Sequence, residues 1–245
     1  MDVVFVGGDE RFRFAAEELR RRGYDARWQG EWPDGTVEMA VVPAADMLEG
    51  KRFRLAVAQR GLSGRESVFC IENDEEYLQA NAFLTAEGAL QAVMGLGGRA
   101  LYGKKCLITG YGRIARALYG MLRAMRADAT VAVRPGKSMR RATEDGAEFI
   151  GIVEARRRIG EFEYIWNTVP ECVFSAEDVG KMRAGAGIFE LASAPFGFDL
   201  EKAREMDIWA ERLDGLPGKY APETAGYLLA DAVERVYMER RGAEC

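Results

Sequence analysis

The stretch CLITGYGRIARAL, residues 106–118, decides the fold of this chain. Its apolar beginning predicts a strand over 106–109, and the residues from about 113 to 125 have the period of an amphipathic helix. Between the two lies a glycine-rich turn of the form G-x-G-x-x-A. A strand, such a turn and a helix in this order are typical of a unit that binds a dinucleotide.

Each fixed position of this turn has a physical purpose. Gly110 permits the tight turn, Gly112 lets the backbone approach a pyrophosphate, and Ala115 allows close packing of helix against strand. The helix N-terminus offers its amides and its dipole to the phosphates. The alternative is a turn that only packs and binds nothing.

The rest of the chain alternates strand-like and helix-like segments. We therefore predict an α/β fold, with a doubly wound parallel-sheet Rossmann domain that binds NAD(P) and a smaller N-terminal α/β domain. The predicted divisions are an N-terminal substrate-side domain at 1–84, a connecting helix and glycine-rich hinge at 85–103, the Rossmann domain at 104–221, and a C-terminal helix at 222–245 that returns to the first domain.

The predicted elements follow from hydrophobic period and from turn residues. In the first domain they are a helix over 11–22 and strands at 3–6, 25–28, 39–42, 55–58 and 68–71. A helix over 85–94 follows, with Thr85 as its N-cap. The second domain has strands at 106–109, 130–133, 148–150, 164–169, 187–191 and 208–211, and Pro222 begins the last helix.

Composition excludes several classes of function. The net charge is −5 and no long basic block occurs, which argues against binding nucleic acid. No apolar segment is long enough to span a membrane and no basic leader precedes the first strand, so we expect a cytoplasmic protein. The four cysteines are widely scattered, as is usual for reduced thiols. The chain has no histidine, which excludes imidazole catalysis and the usual zinc sites.

Basic residues follow the second strand of the predicted Rossmann domain. An acid at the end of that strand would accept hydrogen bonds from the adenosine ribose, but the chain has Arg134 there, with Lys137 and Ser138 close behind. Because these groups would attract a 2′-phosphate, we predict NADP rather than NAD. The alternative is a solvated basic loop.

Ligands of such sheets bind at the carboxyl ends of the strands, so three further loops are of interest. In WNTVP, Asn167 and Thr168 could bind the nicotinamide ribose, and in ELASAPFGFD the pair Ala192-Ser193 could contact the ring amide. Strand capping and Asx turns are the alternatives for these residues. In the third loop, Lys219 and Tyr220 are candidates for substrate binding or proton transfer, although the lysine could equally be a surface residue.

Six stretches, taken together, resemble the A-subunit family of dipicolinate synthase, which is related to D-2-hydroxyacid dehydrogenases and adenosylhomocysteinase. They are VGGDERF (6–12), AFLTAEGALQAVM (82–94), ITGYGRIARAL (108–118), WNTVP, ELASAPFGFD and GLPGKYAPETAGYLLADAV (215–233). The resemblance implies NADP-linked oxidation of a cyclic dicarboxylate at the dihydrodipicolinate level to dipicolinate, a role in sporulation, and a flavoprotein-like second subunit. We also expect a homo-oligomer.

The resemblance and the turn pattern together give the expected site residues. The cofactor residues are Gly110, Gly112, Arg113, Ile114, Ala115, Arg134, Lys137, Ser138, Asn167, Thr168, Val169, Pro170, Ala192 and Ser193. The substrate residues are Gly7, Gly8, Thr85, Gly218, Pro222 and Thr224, and the candidates for proton transfer are Lys219, Tyr220, Glu87 and Asp9. The two carboxylates are included because burial in a cleft raises the pKa of a carboxyl group.

Two departures from the family pattern leave two other functions open. After ELAS the family has Arg-Pro-Gly-Gly, whereas this chain has Ala194-Pro195-Phe196-Gly197, so a cation that could hold a substrate carboxylate is missing. The first domain is also shorter than is typical. The alternatives are therefore a non-catalytic protein that binds NADP as a scaffold or sensor, and an oxidoreductase that acts on another small carboxylate.

Overall fold

The computed structural model describes residues 2–61, 64–95 and 100–243, the last three of these as backbone only. The chain divides into two compact units. The first comprises Met1–Leu84 together with Pro217–Cys245, and the second comprises Thr85–Leu216. The second unit is thus an insertion into the chain of the first.

The first unit contains a sheet of five parallel strands in the order β2-β1-β3-β4-β5. Its strands are β1 (Asp2–Val6), β2 (Asp25–Gln29), β3 (Val37–Ala44), β4 (Phe53–Arg60) and β5 (Val68–Cys70). The direction of winding reverses between β1 and β3, which makes this a doubly wound sheet with a switch point of its own.

The second unit contains a sheet of six parallel strands in the order β11-β10-β9-β6-β7-β8. Its strands are β6 (Lys105–Thr109), β7 (Asp128–Val133), β8 (Phe149–Gly151), β9 (Tyr164–Asn167), β10 (Gly187–Glu190) and β11 (Trp209–Arg212). Counted along this unit the order is that of the Rossmann fold, with the switch point between β6 and β9. The predicted fold class is confirmed.

Helices follow most strands of both units. They are α1 (Glu10–Arg21), α2 (Glu75–Gly95), α3 (Arg113–Ala124), α4 (Lys137–Glu144), α5 (Ile152–Arg157), α6 (Ala176–Val179), α7 (Leu200–Glu205), α8 (Leu216–Tyr220) and α9 (Pro222–Ala243). Of these, α3 shows why the sequence forms helix: Ala115, Ala117, Leu118 and Leu122 recur on one face and are buried.

The helix predicted from Thr85 begins ten residues earlier, at Glu75. Asp74 supplies its N-terminal hydrogen bond, because its Oδ1 accepts from the amide of Tyr77 at 2.9 Å. Thr85 is buried within this helix, so its prediction as an N-cap was wrong. The connecting helix and glycine-rich hinge predicted at 85–103 fall partly on residues 96–99, which lie outside the described residues.

The last helix, α9, packs on α1 within the first unit. Leu229 and Val233 of α9 share a core cluster with Phe12 and Leu19 of α1. Gly226 lets the two backbones approach, since a Cβ at this position would lie 2.5 Å from the Cβ of Phe14. Among the described residues, no helix is long and apolar enough to cross a membrane.

Candidate functional site

The glycine turn lies at the switch point of the second sheet, at the carboxyl end of β6. Gly110 has φ +82°, and its amide donates to the carbonyl of Ala132 at 2.8 Å. A Cβ on Gly110 would lie 2.8 Å from Cγ2 of Val169. The loop after β9 therefore packs directly on this glycine, and no larger residue fits.

Gly112 is the N-cap of α3 and has no side chain with which to cap the helix. A Cβ at Gly112 would meet no atom within 4 Å, so open space lies beside this backbone. Ala115, one turn later, is fully buried, whereas Arg113 is exposed and Ile114 is half-buried. These features fit a pyrophosphate held by the amides of the first turn of α3.

Arg134 directly follows β7 and forms an ion pair with Glu171, at 2.7 Å between Nη1 and Oε2. About half of each side chain is exposed, 52% and 54%. Glu171 belongs to the loop after β9, and β6 lies between β7 and β9 in the sheet. The pair therefore joins two loops across the end of β6, the strand that leads into the glycine turn. Lys137 and Ser138 lie in the first turn of α4.

A buried polar network joins the ends of three neighbouring strands beneath this turn. Thr109, Asn167 and Glu190 are the last residues of β6, β9 and β10, and all three are fully buried. The hydroxyl of Thr109 donates to Oδ1 of Asn167, and Nδ2 of Asn167 donates to Oε1 of Glu190 at 2.7 Å. Sequence reasoning missed Thr109 and Glu190 as members of the site.

Asn167 and Thr168 are fully engaged within this network. Nδ2 of Asn167 also donates to the carbonyl of Val169, and the hydroxyl of Thr168 donates to the carbonyl of Thr109 at 2.6 Å. These contacts correspond to the strand-capping alternative. They position the loop that carries Val169 and Pro170 and leave the Asn167 side chain buried rather than directed to a ribose.

Glu190 organises the loop after β10. Its carboxylate accepts from the amides of Ala192 at 2.9 Å and Gly197 at 2.7 Å. Burial raises the pKa of Glu190 above its ordinary value, although hydrogen bonds from Asn167 and these amides oppose the shift. Ser193 of this loop is exposed, and the guanidinium of Arg212 stacks on the ring of Phe196, 4.5 Å from its centroid.

The first unit has a glycine turn of its own at the carboxyl end of β1. Gly7 and Gly8 have φ +69° and +78°, and Asp9 is the N-cap of α1. Arg11 binds the Asp9 carboxylate with both Nε and Nη2, at 2.8 and 2.7 Å. Gly218 lies against this pair, since a Cβ there would be 2.8 Å from Oδ2 of Asp9.

The Asp9 carboxylate is held in its ionised form. Burial alone would raise its pKa, but the hydrogen bonds and the charge of Arg11 outweigh burial and lower the pKa below its ordinary value. Because an acceptor of low pKa takes up a proton weakly at neutral pH, Asp9 is a poor general base.

The other predicted substrate and proton-transfer residues are distributed over both units. In the first unit, Lys219 and Tyr220 are exposed on α8, and Pro222 and Thr224 lie in the first turn of α9. In the second unit, Thr85 is buried and Glu87 is exposed, both on α2.

A Rossmann-order sheet with a glycine turn at its switch point defines the fold with which dehydrogenases bind dinucleotides. No family model matches the chain. The A-subunit of Bacillus subtilis dipicolinate synthase is 27% identical over 180 residues, which are 74% of this chain and 60% of that relative. This similarity confirms the resemblance inferred from the motifs.

Solved structures show the same architecture. The A-subunit structure of dipicolinate synthase from Bacillus subtilis has a TM-score of 0.83 at 20% identity, covering 99% of this chain and 97% of that one. An NAD-complexed D-isomer-specific 2-hydroxyacid dehydrogenase from Lactobacillus delbrueckii has a TM-score of 0.56 at 9% identity, covering 99% of this chain and 98% of that one. Together the solved structures show that the chain has the fold of these proteins.

Proposed function

We propose that this protein is an NADP-dependent oxidoreductase that oxidises a cyclic dicarboxylate at the dihydrodipicolinate level to dipicolinate, as its resemblance to the dipicolinate synthase A-subunit family implies. The observation that carries the proposal is the placing of Arg134 at the end of β7, beside a glycine turn with open space at Gly112. A guanidinium at this position suits a 2′-phosphate, whereas a carboxylate would repel it.

The Arg134–Glu171 pair adds a condition to this binding. A 2′-phosphate that binds the Nη1 edge of Arg134 would replace Glu171, because Glu171 now occupies that edge of the guanidinium. Exposed ion pairs contribute only about 0–1 kcal/mol, so this exchange opposes binding weakly.

The bound dinucleotide would supply a hydride acceptor at nicotinamide C4. Aromatisation of a dihydro ring also releases one proton, so hydride and proton together account for the two-electron oxidation. Of the four candidates for proton transfer, Asp9 is the weakest, since Arg11 holds its pKa low. Lys219, Tyr220 and Glu87 remain as candidates. We further propose a cytoplasmic location, and assembly as a homo-oligomer with a flavoprotein-like second subunit.

The proposal is tested by calorimetric titration of the purified protein with NADPH and, separately, with NADH. We expect wild type to prefer NADPH. Arg134→Asp should weaken NADPH binding at least tenfold, because it removes a charge-assisted partner of the 2′-phosphate and puts a repelling charge there. The matched control is Arg123→Asp, which makes the same charge change in the last turn of α3, at the far end of that helix from the glycine turn.

A second variant tests the exchange itself. Glu171→Gln should strengthen NADPH binding about two- to fivefold and leave NADH binding unchanged, as expected for an exposed ion pair. If wild type bound neither dinucleotide, the glycine turn would be a packing feature and the proposed function would be wrong. If Arg123→Asp weakened binding as much as Arg134→Asp, the effect would be one of net charge.

A further inference from the structure

A cleft separate from the glycine turn of the second unit lies within the first unit, along the carboxyl ends of β1, β3, β4 and β5. It is a cavity of about 460 Å³ at the edge of the sheet where the winding reverses. Ligands of doubly wound sheets bind at such edges. Apolar walls and polar groups both face it, among them Pro43, Gln59, Arg60, Ile71, Tyr77 and Leu78.

The two carboxylates of this cleft accept hydrogen bonds from neighbouring groups. Asp9 accepts from both Nε and Nη2 of Arg11 and from the Arg11 amide. Glu72 accepts from the amide of Gly61 at 3.3 Å and from the thiol of Cys70 at 3.6 Å. Both carboxylates therefore already accept hydrogen bonds from the protein.

Two donors of the cleft, on Gln59 and Arg60, lack a partner among the described residues. Nε2 of Gln59 is buried and makes no hydrogen bond within the described ranges. Arg60 is the last residue of β4, is exposed, and forms no ion pair with any residue that the structure describes. A buried amide donor without a partner is unfavourable, and an arginine fork suits a carboxylate.

We propose that this cleft binds a small planar carboxylate, with Arg60 and Gln59 as donors to the carboxylate and with Ile71, Leu78 and Tyr77 against the ring. The Arg60 guanidinium and the Gln59 amide suit a carboxylate, and the apolar walls favour a flat ring. The inference rests on the proposed function for the choice of probe, since a pyridine dicarboxylate is the product proposed above. It does not require the dinucleotide.

The test is a calorimetric titration of the full chain with pyridine-2,6-dicarboxylate in the absence of cofactor. We expect saturable binding, weakened about tenfold or more in Arg60→Gln and abolished in Gln59→Glu, which places a negative charge among the donors. The uncharged pyridine-2,6-dicarboxamide should bind much more weakly than the dicarboxylate. Arg54→Gln is the matched control, because Arg54 is exposed on the same strand at its other end.

Thermal unfolding of each variant shows whether it is folded before its affinity is compared. The proposal is wrong if wild type does not bind the dicarboxylate, or if Arg60→Gln and Arg54→Gln bind it as wild type does. The NADPH titration is independent of this result. If wild type bound NADPH and Arg60→Gln bound the dicarboxylate as wild type does, only the carboxylate site would be wrong. If binding of the dicarboxylate depended on Arg60 but NADPH did not bind, only the proposed function would be wrong.

Discussion

At the scale of single residues, the second unit depends on Gly110. Its φ of +82° favours glycine, and a Cβ would lie 2.8 Å from Cγ2 of Val169. We predict that Gly110→Ala lowers the free energy of unfolding by about 1–3 kcal/mol. It should also weaken NADPH binding, since the loop after β9 must move. Urea unfolding and calorimetric titration measure the two effects.

Gly120 provides the matched control for this substitution. It lies within α3, and an added Cβ would meet no atom within 4 Å. Gly120→Ala should therefore raise stability by about 0.5–1 kcal/mol and leave NADPH binding unchanged. If Gly110→Ala and Gly120→Ala lowered the free energy of unfolding and the NADPH affinity equally, the glycine turn would be no more sensitive to an added Cβ than the helix is.

The glycine turn could be predicted from the sequence because all of its determinants are local. A strand, a turn and a helix follow one another within one short stretch, and each leaves its own pattern. The hydrogen-bond network of Thr109, Asn167 and Glu190 could not be predicted from the sequence. Its members belong to three strands that meet only through sheet pairing, so no spacing in the sequence brings them together.

At the scale of elements, α1 and α9 are joined by a charged cluster as well as by their apolar faces. Glu18 accepts from Arg21 and Arg22, and Arg22 also donates to Asp231 and Glu234 of α9, at 2.6 and 2.7 Å. Hydrogen bonds from Arg21 and Arg22 lower the pKa of Glu18 from 4.5 to about 2. The cluster therefore depends on Glu18 being ionised.

This pKa predicts how stability changes with pH. Because the folded pKa lies below the unfolded one, ionised Glu18 stabilises the folded state above pH 4.5, and this contribution is lost as the pH falls toward 2. Glu18→Gln should lower the free energy of unfolding by about 2 kcal/mol at pH 7. The difference from wild type should shrink steadily below pH 4.5 in urea unfolding experiments.

The control for this prediction is Glu17→Gln on the same helix. Glu17 pairs with Arg13 at 2.8 Å, but both side chains are more than a third exposed, at 43% and 35%. This variant should change stability by less than about 0.5 kcal/mol. A difference between Glu18→Gln and wild type that did not vary with pH would contradict the role of ionised Glu18.

Element boundaries were the weakest part of the sequence prediction. The segment at 75–84 has good helix formers and a start signal, since Asp74 precedes two acids in the first turn, but the prediction placed the N-cap at Thr85. Conversely, the resemblance makes Asp9 a candidate for proton transfer, on the expectation that burial in a cleft raises the pKa of its carboxyl group. Only its contact with Arg11 shows that it remains ionised.

At the scale of the whole molecule, the two units have separate apolar cores. Leu229 of α9 is fully buried in a core of the first unit. Leu229→Ala should lower stability by about 2–5 kcal/mol, and hydrogen exchange should rise in β1, β3 and α1. The rate of hydrogen exchange in β6 and β9 and the affinity for NADPH should both be the same as in wild type.

Met238 supplies the comparison for this variant. It lies on the same helix but is 54% exposed, so Met238→Ala should leave exchange unchanged throughout the chain. Faster exchange of β6 and β9 in Leu229→Ala would mean that the two cores do not unfold separately.

The insertion of the second unit into the first has a consequence for synthesis on the ribosome. The strands of the second unit emerge as one continuous segment, so that unit can complete its sheet while translation continues. The first unit emerges earlier, yet the face of α1 formed by Phe12 and Leu19 stays uncovered until α9 has left the exit tunnel. This face of α1, near the start of the nascent chain, is thus the last to be buried, and it is the part that a chaperone would have to protect.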